Sequence, residues 1–389
     1  MRLKQLAGIL LCMGLSAVSL SATSKDCKVI AGYNSKSLPL EALRDEIQTL
    51  VFEASGVPGL MIGIVSEDET AIISCGETAI GNGQRPAADT VWPIGSVSKV
   101  FTTQIFADMV NKGEVGINTP VYTLLKTARP EGQPVTLLNL ATHSSGFPRQ
   151  LPTLPANDDY QTNLPYDMSN FMAWFSTFTP ATAPGTHYEY SNVAFGLLGQ
   201  LLGKIDNSSY ASVLQKRLIT PLELTDTTLA PTKEQQTRLV KSYWLNGDLI
   251  KKDWQFDFEQ PSGGIYSSMR DLLKFARYSL GKTPESALNT MLTQASYRYQ
   301  ADFDNPLAFG HDAMALGWIV DFPSQNLPLV LTKSGWVNGV NCYVKLLPNA
   351  NLALVSLSNK PYLNVDTDLR RMAGTLLGAR AGETVSNPL

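Results

Sequence analysis

Trp92-Pro93-Ile94-Gly95-Ser96-Val97-Ser98-Lys99-Val100-Phe101 sets a serine at the start of a helix, with a lysine three residues further on. Pro93 and Gly95 interrupt what precedes. Val100, Phe101, Ile105, Phe106 and Met109 recur at helical spacing, so Ser96 falls in the first turn. Residues i and i+3 share a helix face, and the Lys99 amine can therefore reach the Ser96 hydroxyl. Unpaired backbone N–H groups and the positive end of the helix favour negative charge developing there. A lysine partly removed from water has a lowered pKa and can take up a proton, which makes Ser96 a candidate nucleophile and Lys99 its base. Taken alone, the tetrad equally describes a capped helix with a solvated lysine. A second copy, Ser279 to Lys282 within Tyr278-Ser279-Leu280-Gly281-Lys282, reads as a glycine-terminated helix end at the surface.

On either side of this stretch the pattern changes. Upstream, Leu40, Leu43, Ile47, Leu50 and Val51 follow a helical period closed by Gly56, and Gly59 to Val65 with Thr70 to Cys75 read as a hairpin turned at Ser66-Glu67-Asp68-Glu69. Downstream, to about residue 250, the chain reads as mostly helical with proline-rich loops. Asp271 to Tyr278 is a further helix. Leu316 to Phe322, Leu327 to Thr332, Gly339 to Leu347 and Leu352 to Leu357 read as strands, and a helix from Val365 to Leu377 is stopped by Gly378. This order implies an α/β (α+β) fold: an antiparallel sheet built from both chain ends and flanked by helices, with a mostly helical region inserted. The expected division is 24–95 with 255–389 for the sheet domain and 96–254 for the helical one. A cleft between them is the default site.

The chain has 389 residues, 17% of them charged, and a formal net charge of -3, which gives no basic field for nucleic acid. Residues 1–23 read as an export signal: Arg2 and Lys4 precede the apolar run Leu6 to Leu20, and small residues follow. The run is short for a membrane span. Its removal, which takes two basic and no acidic residues, leaves a net charge of -5 and no transmembrane anchor. The expected location is the periplasm or the exterior. Cys27, Cys75 and Cys342 remain, enough for at most one intramolecular disulfide or for three buried thiols. With three histidines, no His-Glu-x-x-His and no zinc-type cysteine spacing, neither a metal nor a cofactor is expected.

Two further groups carry chemistry. Tyr190-Ser191-Asn192 follows Ala183-Pro184-Gly185 in a loop before a helix. A tyrosine placed there can relay a proton, and an amide two residues on can hold a lysine and grip a carbonyl. Lys333-Ser334-Gly335 ends an expected strand. The glycine lets a ligand lie against the backbone, and the next N–H, of Trp336, can donate. Each alone has an ordinary reading, as a surface loop and as a β-turn.

In this order and over this span, the three groups resemble the motifs of the class C β-lactamase and low-molecular-mass penicillin-binding protein family. The resemblance covers nearly the whole mature chain. Leu140-Ala141-Thr142-His143-Ser144-Ser145-Gly146, Pro261-Ser262-Gly263-Gly264-Ile265-Tyr266-Ser267 and Leu357-Ser358-Asn359-Lys360 resemble further family segments. Within the family, Gly76-Glu77-Thr78, Gly81-Asn82, Arg85-Pro86, Asp89 and Pro148-Arg149 look most like AmpH-type D-alanyl-D-alanine carboxypeptidase/endopeptidases.

The resemblance implies the β-lactamase/DD-peptidase fold and an exported serine hydrolase. Ser96 would be acylated, Lys99 and Tyr190 would move protons, and Asn192 would orient Lys99 and the substrate amide. Lys333 would act on the Tyr190 phenol and attract a substrate carboxylate, with Ser334 as hydroxyl donor and Gly335 opening the backbone. The N–H groups of Ser96 and Trp336 would form the oxyanion hole. Gln150 would touch the acyl side chain, and Asn364 would lie near the substrate carboxylate. Partners would be peptidoglycan peptides or β-lactams. The alternatives are a class C β-lactamase with faster deacylation, an esterase on the same fold, and a penicillin-sensing protein without turnover. Relatives more often carry threonine at the position of Ser334 and small residues at Trp336-Val337-Asn338, where the indole is expected to narrow the pocket.

Overall fold

The strands near the two chain ends are continuous apolar runs because both of their faces are covered. The computed structural model describes residues 26–380 apart from 33–34, 36, 129–130, 153–165, 252–253, 308–309, 325 and 363. The expected export signal, 1–23, therefore lies outside the described residues.

The strands are β1 Cys27–Ala31, β2 Gly59–Ser66, β3 Glu69–Gly76, β4 Val91–Pro93, β5 Tyr266–Ser268, β6 Arg298–Tyr299, β7 Ala313–Met314, β8 Ile319–Asp321, β9 Val330–Val337, β10 Val340–Leu347 and β11 Leu352–Ser358. Nine of them form one antiparallel sheet in the order β1-β3-β2-β11-β10-β9-β8-β7-β6, while β4 and β5 pair separately. Five helices frame the site: α1 Leu40–Glu46, continued by the π-helical turn Ile47–Glu53, then α2 Ser98–Asn111, α3 Asn192–Ile205, α4 Met269–Ser279 and α5 Val365–Arg380.

Successive strand residues point to opposite faces, and the two faces enter two cores. Leu60, Ile62 and Ile64 of β2 pack with Leu43, Ile47 and Val51 of the first helical segment and with Leu369 and Met372 of α5. Met61 and Val65 pack on the other side with Phe101 and Phe106 of α2, Phe195 of α3 and Phe275 of α4. With both faces apolar, hydrophobicity alone leaves the register open. Turns fix it. Glu67 adopts a φ of 52° between Ser66 and its partner Glu69, and Asn338 and Gly339, at φ 48° and 73°, close the β9–β10 hairpin. Asn351, at φ 48°, follows the Pro348–Ala350 turn into β11.

Four local expectations change. Lys333, Ser334 and Gly335 lie within β9 and not at its end, because the Asn338-Gly339 turn lets the ladder run on to Val337. The strand expected over Leu316 to Phe322 shrinks to Ile319–Asp321: Gly317 has a φ of 76° and donates its N–H to Ala141 O at 2.9 Å. The last helix passes through Gly378 to Arg380, glycine being tolerated near a helix end at modest cost. In the second Ser-x-x-Lys, Lys282 is exposed but Ser279 is buried.

Cys27 and Cys75 are disulfide-bonded and tie β1 to β3, whereas Cys342 is a buried free thiol on β10. Among the described residues no helix is long and apolar enough to cross a membrane, and no group of three or more His, Cys, Asp or Glu is placed to hold a metal ion.

Candidate active site

The serine turn begins as a single 3-10 turn, Gly95–Val97, which leads directly into α2. It is pressed backbone to backbone against β9. A β-carbon added to Gly335 would lie 2.1 Å from Ile94 O and 3.1 Å from Ser96 N, and one added to Gly95 would lie 2.9 Å from Trp336 N. Gly95 also holds a φ of 52°. Glycine at both positions thus brings the N–H groups of Ser96 and Trp336 to adjoining backbones. Lys99, one turn along α2, is completely buried, so the solvated-lysine reading does not hold.

Lys99 Nζ lies 2.7 Å from Asn192 Oδ1, 2.8 Å from Ser262 O and 3.2 Å from Ser96 Oγ. The two shorter contacts are to acceptors that offer no proton and must each receive an N–H. In the neutral amine, whose two N–H bonds they occupy, the lone pair is left facing Ser96 Oγ. Burial is also the main cause that holds the Lys99 pKa well below the ordinary lysine value; Glu259 acts against it and Arg149 with it. Its position and its protonation equilibrium both suit a base. Because Asn192 Oδ1 is taken by Lys99, the amide nitrogen of Asn192 is left to donate elsewhere.

Tyr190 reaches the same serine from the other side, with its phenol donating to Ser96 Oγ at 2.6 Å. The loop that carries it is stapled to the preceding one. Glu189 N–H donates to His143 O at 2.8 Å, Ser191 N–H to His143 Nδ1 at 3.1 Å, and Asn192 N–H to Arg149 O at 3.0 Å. Ser191 caps α3 by accepting from Ala194 N–H at 2.9 Å, and its hydroxyl donates to Pro148 O at 2.8 Å. The His143 ring lies 4.3 Å from that of Tyr190. Burial, helped by Lys333, Lys99 and Arg149, lowers the His143 pKa well below the usual value and keeps the ring neutral. Tyr190 also packs against Tyr188, Phe303, Leu307 and Met314.

Basic side chains surround this phenol. Lys99 Nζ, Arg149 Cζ and Lys333 Nζ lie 4.8, 4.8 and 5.2 Å from its ring centroid. Lys333 is almost wholly buried. Desolvation above all lowers its pKa to about 8; Tyr190 opposes this, and Lys99 and Arg149 add to it. The site therefore favours an incoming negative charge.

Ser96, Lys99, Tyr190, Asn192, Lys333 and Gly335 are thus brought together. Ser334 lies on the opposite face of β9 from Lys333, directly across the ladder from Tyr343 of β10. Trp336 is two residues on from Ser334; its indole, expected to narrow the pocket, is 54% exposed. Gln150 sits beside Arg149 and turns toward the buried Glu259. Asn364 is exposed at the entry to α5. Sequence reasoning gave no role to His143, Arg149, Tyr166 or Glu259. His143 lay within a segment already singled out, and its left-handed φ of 54° marks a special backbone position. Arg149 lay in the Pro148-Arg149 pair already quoted for the resemblance, whereas Tyr166 and Glu259 left no signal of their own.

A family model described as Beta-lactamase matches residues 43–379. The chain is 28% identical over 328 residues to the D-alanyl-D-alanine-carboxypeptidase/endopeptidase AmpH of Escherichia coli (strain K12), a match that covers 80% of this chain and 82% of that protein. It is 25% identical over 350 residues to a beta-lactamase of the same organism, covering 81% and 88%. Among solved structures it is similar to a beta-lactamase/D-alanine carboxypeptidase from Yersinia pestis complexed with citrate, at a TM-score of 0.74 and 26% identity over 84% of this chain and 95% of that one.

Proposed function

Because the chain belongs to the β-lactamase family, we propose that it is an exported serine hydrolase that forms an acyl-enzyme at Ser96 with D-Ala-D-Ala peptides of peptidoglycan and with β-lactams. The observation that carries this reading is the convergence of Tyr190 Oη, at 2.6 Å, and Lys99 Nζ, at 3.2 Å, on one serine oxygen. Ser96 Oγ attacks the amide or lactam carbonyl and gives its proton to the Lys99–Tyr190 pair. The N–H groups of Ser96 and Trp336 hold the oxyanion. The C–N bond then breaks, and Tyr190 returns a proton to the leaving nitrogen. Water later cleaves the ester and releases Ser96.

Asn192, with its nitrogen free of Lys99, meets the substrate amide, and Gln150 the acyl side chain. Lys333 draws in the carboxylate, with Asn364 beside it, while Ser334, turned to the other face of β9, is left out of that contact. The cleft belongs to two regions, 24–95 with 255–389 and 96–254. Export is supported by the Cys27–Cys75 disulfide, a bond that persists in oxidising compartments, and 1–23 is its signal. Likeness to both a carboxypeptidase/endopeptidase and a β-lactamase keeps the second reading, a class C β-lactamase, on the same residues.

A time course of the mature protein and Ser96→Ala with a fluorescent penicillin, following covalent label and free lactam together, tests the reading. A persistent label that requires Ser96, with little lactam consumed, supports the peptidase. Rapid consumption with little standing label supports the β-lactamase, and no Ser96-dependent reaction refutes both.

A further inference from the structure

Glu259 is the buried anion beside this cationic site, and the mechanism above does not use it. Only 4% exposed, it precedes the turn Gln260–Gly263, and its own carbonyl accepts from Ser262 N–H at 2.8 Å. Ser262 O in turn holds Lys99. The Glu259 carboxylate faces away from that turn. Oε1 accepts from Tyr166 OH at 2.7 Å, and the Gln150 amide nitrogen, when that amide is turned to donate, lies 2.5 Å from Oε1 and 3.0 Å from Oε2. In the same orientation the nitrogen lies 3.1 Å from Arg149 O, a carbonyl already fixed by Asn192 N–H. The opposite orientation would press the amide oxygen against these acceptors, leaving buried groups unsatisfied. Both N–H bonds of Gln150 are therefore engaged on the protein side.

We propose that Glu259 sets the polarity of the acyl subsite: its carboxylate claims the Gln150 nitrogen and leaves Gln150 Oε1 to accept a hydrogen bond from an N–H of the substrate's acyl side chain. Glu259 is a positioning residue in this role, and the proposal rests on the hydrolase reading in which Gln150 meets that side chain. The polarity depends on the charge of Glu259. Burial pushes its pKa up to about 7, against the opposing effects of Tyr166, Lys99, Gln150 and Arg149, the polar and charged groups that face it. Once protonated, Glu259 carries an O–H that Gln150 Oε1 can accept, and the amide nitrogen turns outward.

The test compares acylation rate constants for a penicillin with a secondary acyl amide and for its counterpart in which that N–H is replaced by oxygen. For the wild type the amide is favoured by about tenfold, the worth of one hydrogen bond in a site built for it. The ratio falls toward one in Glu259→Gln and in Gln150→Ala, adding Glu259→Gln to Gln150→Ala changes it no further, and in the wild type it shrinks as pH drops below about 7. A ratio that stays within about twofold of wild type in Gln150→Ala, or that is flat with pH in the wild type, overturns the proposal whether or not Glu259→Gln folds. Failure of the parent penicillin to label Ser96 refutes the hydrolase reading instead, so the two failures are told apart.

Discussion

Lys99 and Lys345 are both completely buried, and they have opposite surroundings. Lys345, on β10, donates to Asp366 Oδ1 at 2.6 Å and to Thr332 Oγ1 at 2.9 Å. Asp366 also binds Arg370, which reaches Asp321, and Asp321 pairs with His311. That chain of charges ties β8 and β10 to α5. Lys99 bonds neutral oxygens only, and the anion that acts on it, Glu259, is engaged by Tyr166 and turned toward Gln150. Burial depresses both amines, but Asp366 works against this at Lys345 and holds its pKa at about 8. Equal burial therefore has two outcomes: a carboxylate partner favours a lysine's charged form and ties it into the structure, whereas neutral partners leave its proton exchangeable for chemistry.

The largest expected effect breaks this contrast on the functional side. Lys99→Met should slow acylation by about 10²- to 10⁴-fold, the range for a positioned acid–base group. It should leave the melting temperature unchanged or raise it, because a buried amine without a carboxylate partner adds little to stability. The structural side should respond in reverse. Asp366→Asn strands the Lys345 charge and should cost about 3 kcal/mol, the low end for a broken buried pair because Asp366 keeps partial contact with water. Activity per folded molecule should change little. Denaturant unfolding alongside single-turnover acylation measures both, and similar losses of stability in the two variants would dissolve the distinction.

A second large effect belongs to the backbone. Gly335→Ala places a β-carbon 2.1 Å from Ile94 O, and neither main chain can yield without separating the Ser96 and Trp336 N–H groups. Loss of one oxyanion donor elsewhere costs about 10²- to 10³-fold in turnover, and a comparable drop is expected here. Gly339→Ala is the control: its β-carbon would also clash, at 2.4 Å from Tyr243 O, but in the hairpin turn. It should destabilise the fold, whereas the rate of molecules that do fold should stay near wild type.

The same division explains what was legible in the sequence. Strands β2, β3, β10 and β11 were readable because a run apolar on both faces has one reading at that length. The end of β9 was misjudged because the expectation stopped at Thr332, although Asn338-Gly339 is a strong hairpin signal four residues beyond Ser334. Ser96, Lys99, Tyr190 and Lys333 stood out because their chemistry needs those residue types beside glycine, proline or helix starts that a pattern exposes. Glu259 and Tyr166 are 93 residues apart and meet only in space. Their spacing carries no period, and each residue type is common, so nothing in the linear order set them apart. The order set Lys99 apart through Ser96 three residues before it, but only the fold shows that Lys345 is just as deeply buried and which partner each amine has.

Lys333 stands between the two extremes and sharpens the comparison with the smallest effect. It is nearly buried and has a phenol for a partner, and its pKa near 8 means that it is charged below about pH 8 and neutral above. A substrate carboxylate is attracted only by the charged form, so kcat/KM, which reports the free enzyme, should fall as pH rises through 8. An ester without the carboxylate should show no such limb, because Lys333 then attracts no substrate charge. Lys333→Ala should likewise cost a carboxylate-bearing substrate about tenfold more than the neutral ester, in keeping with one partly desolvated charge pair. If both substrates lose activity equally on alkaline titration and in the variant, Lys333 acts through Tyr190 alone. It would then share the role of Lys99 as a group that shifts protons and would not be a receptor for substrate charge.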